Sequence, residues 1–536
     1  MNIQYDNNTI WKSEIEGQST LFLAGSVFLN DEKLSIKELL NILEDVRRVE
    51  DLSTLTKKFK GQFGFIFKNN FFSIAFVDKI RSFPISSYKI DNELNISNST
   101  KHFDTVKDKF TINIEALEVF KSSGYTIGKD TFYKEFEILE SGTFIFLDIK
   151  SKILVRENYF SFFNEKTIKY SDDEVLKEID KVITVSIKRL IKIANGKKIV
   201  IPLSAGLDSR LILGKLIELG YKDIFTFTYG PKNIWEREAA EKCANHLNVP
   251  WFFVELNKKE KKRFYTEDRK QYYKFASNNN SVPHIADYYA LNILKEKGIL
   301  DFENIILVNG QTGDFITGGH IPININEITL HNIYETLINK HFALWFNKIT
   351  PKFKNFIKGK LQKSYKFHNY FSNKNSLFKE YERFECNERK IKYVINGQRI
   401  YDWLDIEWYL PLWSAEMLSF WSSIDLKHKL NQDSFKEYCK VFNPGNTFDV
   451  KLNKRPLSLP YYLYPVLVLL KIISKVNKKH KYSRLKRTYL SFYEKYYPFY
   501  PQKTYANYLK DAKYHRSPVS YWVETYLNEN NLKNRF

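Results

Sequence analysis

Short apolar runs alternate with helical segments between residues 198 and 254, and this alternation restricts the fold more than any other feature of the chain. The runs at 198–203, 224–228 and 251–254 have the length and the Ile, Val and Phe content of buried strands. The segments at 210–219 and 236–247 have helical periodicity. Because strand–helix–strand units cross over in one direction, the three strands are predicted to lie parallel in one sheet, with any ligand at their carboxyl ends.

The chain has one region before this sheet and another after it. Residues 1–155 are predicted to form a mainly β unit, because short Phe- and Ile-rich runs are separated there by turn residues. The runs are 21–25, 61–67, 71–77 and 142–147, and one helical segment covers 36–50. A helix over 172–194 is predicted to lead into a new domain. Beyond about residue 330 the chain is predicted to be mostly helical, with strand and exposed helix left as alternatives after Pro351.

Composition excludes several classes of protein. Hydrophobic residues make up 43% of the 536 residues and aromatic residues 16%, which is too much apolar mass for a disordered or low-complexity chain. Three scattered cysteines, Cys243, Cys386 and Cys439, are too few for a disulfide framework or a thiolate zinc site. The start lacks the pattern of a secretory signal, and the apolar stretch 459–470 is too short to cross a bilayer, so the expected location is the cytoplasm.

Positive charge is concentrated near the end of the chain. The formal net charge is +21, and residues 451–536 hold 18 Lys and Arg against 4 Asp and Glu. A basic, Tyr-rich region of this kind attracts anionic lipid, polyanionic glycan or nucleic acid. The plainer alternative is a solvated helical surface.

The residues between the first strand and the first helix of the sheet have the composition of a phosphate cradle. They read Ser204-Ala205-Gly206-Leu207-Asp208-Ser209. Small residues at 204–206 let backbone N–H groups converge on an anion, and the hydroxyls of Ser204 and Ser209 add donors at a helix start. The carboxylate of Asp208 would repel a phosphate unless a divalent cation lay between them. The loop therefore predicts a magnesium-bound nucleotide.

A second acidic loop follows another predicted strand. Residues 304–308 form an apolar run, and the loop after it reads Asn309-Gly310-Gln311-Thr312-Gly313-Asp314. Asp314 at the carboxyl end of this strand would supply a second carboxylate for magnesium. The cradle has neither a Walker A pattern nor Gly-x-Gly-x-x-Gly, so a phosphoryl-transfer P-loop and a dinucleotide site both lose their main support.

Taken in order, these segments resemble the synthetase domain of the asparagine synthetase family, which includes β-lactam synthetase. The family's PP-loop reads Ser-Gly-Gly-Leu-Asp-Ser, and a strand ending in Phe-x-x-Gly and a Gly-Glu-Gly-Ala-Asp-Glu loop follow it. The segments that correspond to these in this chain are 204–209, 227–230 and 310–315. Residues 410–413 resemble the family's Pro-Phe-Leu-Asp element. Residues 78–85 resemble a segment of the class II glutamine amidotransferase domain.

The resemblance implies an α/β protein with three parts. A degenerate amidotransferase-like domain, an Ntn-hydrolase-like α+β sandwich, would cover residues 1–155. A PP-loop ATP pyrophosphatase domain, a parallel sheet with helices on both faces, would cover 175–440. A basic, aromatic-rich and mostly helical extension would cover 441–536. Asn2 stands where the amidotransferase has its cysteine nucleophile, so glutamine hydrolysis is not expected.

The synthetase motifs also depart from the family's pattern. Ala205 replaces a glycine, which is costly only if this residue has a positive φ. Gln311 replaces a Glu, and its amide can orient a substrate but cannot act as an acid or base. Phe315 replaces the Glu after the metal-binding Asp. Lys429 and Lys436 both lie where the family has a catalytic lysine, and spacing does not choose between them.

The activity that the resemblance implies is that of an ATP-dependent, AMP-forming ligase, which adenylates a carboxylate and then forms an amide. The cofactors are ATP and Mg²⁺. The implied phosphate-binding residues are Ser204, Ala205, Gly206, Leu207, Asp208 and Ser209, the adenosine-binding residues are Leu203, Tyr229 and Gly310, and the metal ligands are Asp208 and Asp314. Gln311 is a candidate for orienting the substrate, and the catalytic residue stays unassigned.

The expected substrate is a small-molecule or glycan carboxylate, as in surface-polysaccharide or natural-product biosynthesis. The nitrogen would come from ammonia or an amine, for example from a separate glutaminase. The basic C-terminal region would suit peripheral association with a membrane. Two other classes stay open: a catalytically degenerate binding protein of the same family, and a PP-loop enzyme that modifies nucleic acid. The amidotransferase-like first domain argues against the nucleic-acid enzyme.

Overall fold

The computed structural model describes residues 2–4, 10–91, 93–99, 103, 105–164, 166–232, 234–257, 266–367, 374–450, 452, 463–476, 482, 485–486, 489, 492, 504–512, 514 and 517–533. Its strands form three sheets, two of them before residue 159 and one after residue 197. The strands are β1 (Asn2–Gln4), β2 (Trp11–Glu16), β3 (Ser19–Leu29), β4 (Glu32–Lys33), β5 (Lys60–Lys68), β6 (Phe72–Val77), β7 (Ser86–Ile90), β8 (Glu93–Ser97), β9 (Phe136–Ile138), β10 (Thr143–Asp148), β11 (Leu154–Asn158), β12 (Lys198–Pro202), β13 (Ile224–Gly230), β14 (Trp251–Glu255), β15 (Ile305–Val308) and β16 (Glu407–Tyr409).

Helices account for most of the remaining described residues. The α-helices are α1 (Ile36–Glu44), α2 (Val49–Thr56), α3 (Ile114–Ser123), α4 (Asp172–Ala194), α5 (Leu207–Glu218), α6 (Trp235–His246), α7 (Glu267–Ser277), α8 (Ala286–Glu296), α9 (Gly313–Ile316), α10 (Leu330–His341), α11 (Pro351–Ser364), α12 (Lys374–Phe384), α13 (Arg399–Trp403), α14 (Ala415–Ser423), α15 (Leu426–Lys429), α16 (Asp433–Val441), α17 (Tyr464–Val476), α18 (Tyr505–Asp511) and α19 (Val519–Glu529). A π-helix (Glu385–Val394) continues α12, and short 3₁₀ turns include Ile395–Gln398, Pro411–Trp413 and Pro444–Asp449.

The two sheets of the first region are mostly antiparallel. One has the order β11-β10-β6-β5-β3-β2, with β4 paired to β3, and the other has the order β1-β8-β7-β9, with β1 parallel to β8. Side chains alternate between the faces of the larger sheet. Phe65 and Phe76 pack in a core with α1 and α2, whereas Ile66 and Ala75 pack in a second core with Ile96 of the smaller sheet. The Ntn-hydrolase-like sandwich and the three domain boundaries stay predictions.

The single helix predicted over 36–50 is wrong, because the chain forms two helices there. The Ser35 hydroxyl accepts the Glu38 N–H and starts α1. The Asp51 carboxylate accepts the N–H groups of Arg47 and Arg48, each at 3.0 Å, and starts α2 after a break. Apolar periodicity misses the break because residues on both sides of it pack into one core.

The predicted parallel sheet is present after residue 197. Its order is β14-β13-β12-β15-β16, and each neighbouring pair is parallel. The chain therefore moves from β12 outward through β13 and β14 and then returns to place β15 on the other side of β12. The loops after β12 and β15 leave the sheet at this reversal of strand order, where open α/β sheets bind their ligands. The preceding helix, α4, has the bounds that the periodicity predicts and begins with a capping box at Ser171.

The alternatives left open after Pro351 are decided in favour of a helix. The Thr350 hydroxyl accepts the Phe353 N–H, and Pro351 occupies the first turn of α11. Ile357 and Leu361 are fully buried, four residues apart on one side of this helix. The cluster that they join also contains Leu337 and Phe378 from α10 and α12.

The last helix returns to the first region of the chain. Tyr526 in α19 packs its ring against Phe120 of α3 and against Phe132, with both centroid distances 5.7 Å. Its hydroxyl donates to Ser277 Oγ of α7 at 2.9 Å. The C-terminal segment thus belongs to the same core as the first region and the parallel sheet.

The first region is also attached directly to the parallel sheet. Gln62 of β5 donates to the Leu410 carbonyl at 2.8 Å and accepts the Leu410 N–H at 2.9 Å. Arg189 of α4 is almost completely buried and pairs with Asp31 and Glu416.

Within the described part of the chain, every helix is too short or too polar to cross a bilayer. The three cysteines are free and buried.

Candidate functional site

Two loops meet at the carboxyl ends of the neighbouring strands β12 and β15. Residues 203–206 connect β12 to α5, and residues 309–312 connect β15 to α9. Ile199, Val200 and Ile201 of β12 and all four residues of β15 are buried. The two strands pair in parallel with Ile199 opposite Ile306 and Val200 opposite Leu307, and this register sets the positions of the two loops.

The first loop has the polar groups of an anion cradle. Ser209 Oγ accepts the Ser204 N–H at 3.1 Å, and Ser204 Oγ accepts the Gly206 N–H at 3.1 Å. Gly206 is the N-cap of the 12-residue helix α5, and no side chain caps the first N–H groups of this helix. An anion beside Gly206 would therefore meet uncapped N–H groups and the positive end of the helix dipole. Ala205 does not have a positive φ, so the change from glycine causes no backbone strain.

The second loop packs directly against the first. A Cβ on Gly310 would lie 2.8 Å from the backbone nitrogen of Ser209, and a Cβ on Gly313 would lie 2.6 Å from a carboxylate oxygen of Asp208. The Asp314 N–H donates to Asp208 Oδ2 at 3.1 Å, although the two residues are 106 positions apart. The structure therefore brings the two predicted motifs together in one site.

The two aspartates have different electrostatic environments. Burial raises the pKa of Asp208 to about 7, and the negative charge of Asp314 adds to this effect. Burial also disfavours the charged form of Asp314, but the hydrogen bond with His320 and the charge of Lys390 outweigh it and lower the pKa of Asp314 to about 2. A cation bound beside both carboxylates would favour the ionised form of Asp208.

The donor set fits Mg²⁺ together with a phosphate ligand. Magnesium is commonly held by one or two carboxylates plus phosphate oxygens, and Asp208 and Asp314 supply the carboxylates. Among the described residues, no group of three or more His, Cys, Asp and Glu side chains could hold a metal ion without further ligands. The side chain of Asp314 is directed to His320, at 3.1 Å from Nε2, and to Lys390, at 3.9 Å from Nζ.

The three predicted adenosine-binding residues lie at the ends of β12, β13 and β15. The Leu203 N–H donates to the Phe227 carbonyl at 2.8 Å, and the Leu203 carbonyl accepts the Thr228 hydroxyl at 2.7 Å. Tyr229 donates to Asp287 Oδ1 at 2.5 Å. Gly310 contacts the first loop, as described above. All three lie at the edge of the sheet from which the two loops leave.

Gln311, in the loop after β15, is held in place by a second glutamine. Gln398 Nε2 donates to Gln311 Oε1 at 2.7 Å, and the Gln311 N–H donates to Asn309 Oδ1 at 2.8 Å. Phe315 is buried and stacks on Trp413, with ring centroids 5.8 Å apart. Phe315 thus takes a packing role at the position where the family pattern has an acid.

Sequence reasoning missed a charged cluster next to Asp314. His320 Nε2 faces Asp314, and His320 Nδ1 lies 3.4 Å from Glu385, which is fully buried. Lys390 Nζ lies 3.2 Å from His320 Nε2, and burial lowers the pKa of Lys390 to about 8. Glu385 and Lys390 belong to the π-helix, and π-helical segments often occur at functional sites. The His after Gly318-Gly319 was the one signal in the sequence that marked this cluster.

The two lysines that the motif spacing left as alternatives do not reach Asp314. Lys429 is fully buried and pairs with Glu382 at 2.7 Å. Lys436 is exposed and donates to a carbonyl of its own turn. Lys390 is the lysine that the structure places beside Asp314. It lies outside the sequence region that the family pattern indicates.

Comparison with known proteins shows weak structural similarities. No protein-family model and no curated protein sequence matches the chain. The chain resembles glutamine phosphoribosylpyrophosphate amidotransferase from B. subtilis in complex with ADP and GMP, with 11% identity, 46% of this chain and 48% of that chain covered, and a TM-score of 0.18. It also resembles ammonia-dependent NAD synthetase from Campylobacter jejuni, with 14% identity, 35% and 94% covered, and a TM-score of 0.21.

Glutamine-dependent NAD⁺ synthetase from Acinetobacter baumannii in complex with ADP is a third similar structure, with 10% identity, 52% and 60% covered, and a TM-score of 0.18. The chain spans about half the length of the B. subtilis enzyme. TM-scores this low do not establish a shared fold.

Proposed function

We propose that this protein is an ATP-dependent, AMP-forming ligase that joins a carboxylate to an amine or ammonia, similar in chemistry to the asparagine synthetase family. The observation that carries the proposal is the contact between the two loops, in which Asp314 donates its N–H to the Asp208 carboxylate beside the start of α5. The resemblance of residues 204–209 and 310–315 to the family's motifs supports the same reaction.

The first half-reaction is the one that these residues support. An oxygen of the substrate carboxylate attacks the α-phosphorus of ATP, and pyrophosphate leaves with the electrons of the broken P–O bond. Ser204, Gly206 and Ser209 would bind the pyrophosphate group through hydroxyl and backbone N–H groups. Mg²⁺ held by Asp208 and Asp314 would neutralise the charge of the phosphates.

The lysine beside Asp314 adds a positive charge to this site. Lys390 is 2% exposed and lies 3.9 Å from an oxygen of Asp314. A buried ammonium group in a site that excludes water stabilises negative charge more strongly than one in bulk solvent. We assign Lys390 to stabilising the charge that develops on the phosphates as pyrophosphate leaves.

In the second half-reaction, the amine nitrogen attacks the acyl carbon and AMP leaves with the electrons of the C–O bond. The amine loses a proton in this step. Gln311, held by Gln398, is proposed to orient the acyl group by hydrogen bonds. Because Asn2 lacks a nucleophile, the proposed nitrogen source is ammonia, an amine substrate or a separate glutaminase, and residues 1–155 have a structural role.

The test measures ATP binding with and without Mg²⁺, and acid-dependent exchange of radiolabelled pyrophosphate into ATP. Asp208→Asn and Asp314→Asn are expected to weaken magnesium-dependent ATP binding at least tenfold, which corresponds to about 1.4 kcal/mol. The control is Asp223→Asn, because Asp223 is exposed before β13, at the other end of the sheet. If the affinity for ATP is the same with and without Mg²⁺ and is unchanged by both substitutions, the result would favour the degenerate binding protein over the ligase.

A further inference from the structure

A cavity of about 220 Å³ is lined in part by His320, the histidine that contacts Asp314. Basic and hydroxyl side chains line it, and His320 forms a wall that it shares with the Asp314 site. The lining includes Tyr125, His320, Lys340, His341, Arg389 and Tyr393. Ligand pockets for drug-sized molecules commonly measure about 300–1,000 Å³, so this cavity suits a small molecule or the end of a larger one.

The charges around the cavity leave one cation without a carboxylate. Glu385 is the carboxylate next to it, and this group is already paired with Lys340 and lies 3.0 Å from His341 Nε2. Asp314 faces His320 and Lys390. Among the described residues, no Asp or Glu lines the cavity itself.

Arg389 is the cation for which the described part of the chain supplies no carboxylate. It is half-buried, lines the cavity, and makes neither a hydrogen bond nor an ion pair with another described residue. Tyr393 lies four positions further along the same π-helix, also lines the cavity, and has no hydrogen-bond partner within the described part of the chain. A guanidinium group without a partner beside a phenolic hydroxyl is suited to a planar carboxylate, which accepts two hydrogen bonds from Arg.

The C-terminal segment closes one side of this cavity. Ser517 and Val519 are part of the lining, and the next residue, Ser520, donates its hydroxyl to the Leu344 carbonyl at 2.9 Å. Leu344 also belongs to the lining. The cavity therefore depends on residues from five separate parts of the chain, which meet only in the folded protein.

We infer that this cavity binds the acid substrate of the proposed ligase, with Arg389 as the residue that determines specificity for a small carboxylate. The Tyr393 hydroxyl supplies a further donor, and the C-terminal segment completes the pocket. The inference rests on the proposed function for the role of the bound acid in catalysis. The presence of an anion site at Arg389 can be tested separately.

The test combines chemical labelling with kinetics. Phenylglyoxal modification of Arg389 is followed by peptide mass spectrometry in the presence of acetate, succinate, D-glucuronate or inorganic phosphate. Carboxylates are expected to slow the modification of Arg389 at least fivefold, and phosphate is expected to protect less. Arg389→Gln is expected to raise the KM for the acid in pyrophosphate exchange by about 10- to 100-fold, with ATP binding unchanged, and Arg389→Lys is expected to recover part of the loss.

Arg47→Gln is the matched control, because Arg47 is exposed in the first region and its guanidinium group donates to the nearby carbonyls of Glu44 and Val46. If none of the carboxylates protects Arg389 while ATP still binds with Mg²⁺, the inference is overturned and the proposed function stands. If carboxylates protect Arg389 but ATP does not bind, the proposed function fails and the cavity is an anion site outside ligase chemistry. Stronger protection by phosphate than by carboxylates overturns the assignment to an acid.

A second and independent observation concerns α17, whose outer face is apolar. Leu463, before its first residue, and Leu470 are buried and face the protein. The exposed apolar side chains are Tyr464 (50%), Val468 (60%), Leu469 (55%), Ile472 (52%), Ile473 (38%) and Val476 (82%). At about 100° per residue these six cover one continuous arc of the helix surface, and the exposed Lys471 and Lys475 lie along one edge of it.

We propose that α17 lies in the interface of an anionic membrane. An apolar arc bordered by lysines is the pattern of helices that lie in the headgroup region, and 13 residues are too few to cross a bilayer. The chain around α17 is strongly basic, and the positively charged segment 477–487, which follows it directly, contains six Lys and Arg. This charge complements anionic lipid, which distinguishes a membrane from an apolar protein partner.

The test is co-sedimentation of the full chain with phosphatidylcholine vesicles that contain or lack phosphatidylglycerol. Binding is expected only with phosphatidylglycerol and is expected to fall as salt rises. Leu469→Glu with Ile472→Glu should abolish binding, and Lys471→Glu should weaken it about fivefold or more. Ile15→Glu, which changes an exposed residue of β2, is the control. Equal binding to both vesicles, or a dimer in sedimentation velocity that the α17 substitutions disrupt, would overturn the proposal.

Discussion

At the scale of single residues, the site combines groups whose ionisation depends on burial. The side chain of His341 is 1% exposed, and its Nε2 lies 3.0 Å from Glu385 Oε1. Burial lowers the pKa of His341 to about 4, and this effect exceeds the opposite effect of the Glu385 charge. His341 is therefore neutral at pH 7, although it lies in a wall of the cavity with several charged groups.

His341 should make the stability of the folded protein depend on pH. Between about pH 6.5 and pH 4 an unfolded chain binds a proton at this histidine and the folded chain does not, so stability falls as the pH falls through this window. The contribution is on the order of 2–3 kcal/mol. His341→Gln should flatten this part of the profile in urea denaturation, whereas His246→Gln, on the exposed side of α6, should not. Equal slopes for wild type and His341→Gln would contradict the assignment.

Gly310 shows how closely the two loops approach. Its Cβ would lie 2.8 Å from Ser209 N and 3.0 Å from the Asp208 carbonyl carbon, and these are backbone atoms that cannot rotate away. Gly310→Ala is expected to separate the loops, with a loss of about 1–3 kcal/mol in the free energy of unfolding and at least tenfold weaker ATP binding. Isothermal titration calorimetry with Mg²⁺-ATP measures the second effect. Unchanged affinity would show that the loop contact is not needed for binding.

At the scale of elements, α5 depends on a close approach to the turn Pro444–Asp449. A Cβ on Gly214, in the middle of α5, would lie 2.1 Å from the Pro444 carbonyl oxygen. Arg210 of the same helix donates to the Thr447 carbonyl at 3.0 Å. The turn therefore fixes the position of the helix whose first residues form the anion cradle.

Two glycines in helices should respond in opposite ways to the same substitution. Gly214→Ala is expected to destabilise the protein by about 1–3 kcal/mol, because the new methyl group meets backbone. Gly359→Ala, in α11, meets nothing within 4 Å and is expected to stabilise by up to about 1 kcal/mol, because alanine favours helix. Denaturant unfolding of both variants measures the difference. A destabilising Gly359→Ala would count against the position of α11.

At the scale of the whole molecule, one core joins the first region, the parallel sheet and the C-terminal helix. Tyr526 of α19 is 2% exposed; its ring contacts Phe120 and Phe132 of the first region, and its hydroxyl donates to Ser277 of α7, the helix that follows β14. Because this core is continuous, the loss of Tyr526 should affect the whole protein and not α19 alone.

Replacement of Tyr526 tests this connection. Tyr526→Ala is expected to cost about 3–5 kcal/mol and to lower the denaturation midpoint measured by near-UV and far-UV circular dichroism together. Tyr526→Phe removes only the hydroxyl and is expected to cost about 1 kcal/mol. If α19 melted separately, with the rest of the protein unchanged in Tyr526→Ala, the continuous core would be disproved.

Sequence alone was sufficient for the elements around β12 and for the two loops. Local periodicity set the bounds of α4, and the composition of residues 204–209 and 310–314 marked both loops, because strand length, helix periodicity and small-residue turns are local properties. Sequence patterns missed the break between α1 and α2 and left the structure after Pro351 open. In both places the apolar pattern is ambiguous, and capping hydrogen bonds determine where the helices begin.

Only the tertiary structure decided which residues complete the site. Asp208 meets Asp314 because β15 pairs with β12, and the packing of a distant segment places Lys390 beside Asp314. A contact between residues far apart in the chain depends on the order of strands and the shape of the core. Neither of these is encoded in the spacing of any single motif, which is why the lysine beside Asp314 lay outside the region that spacing indicated.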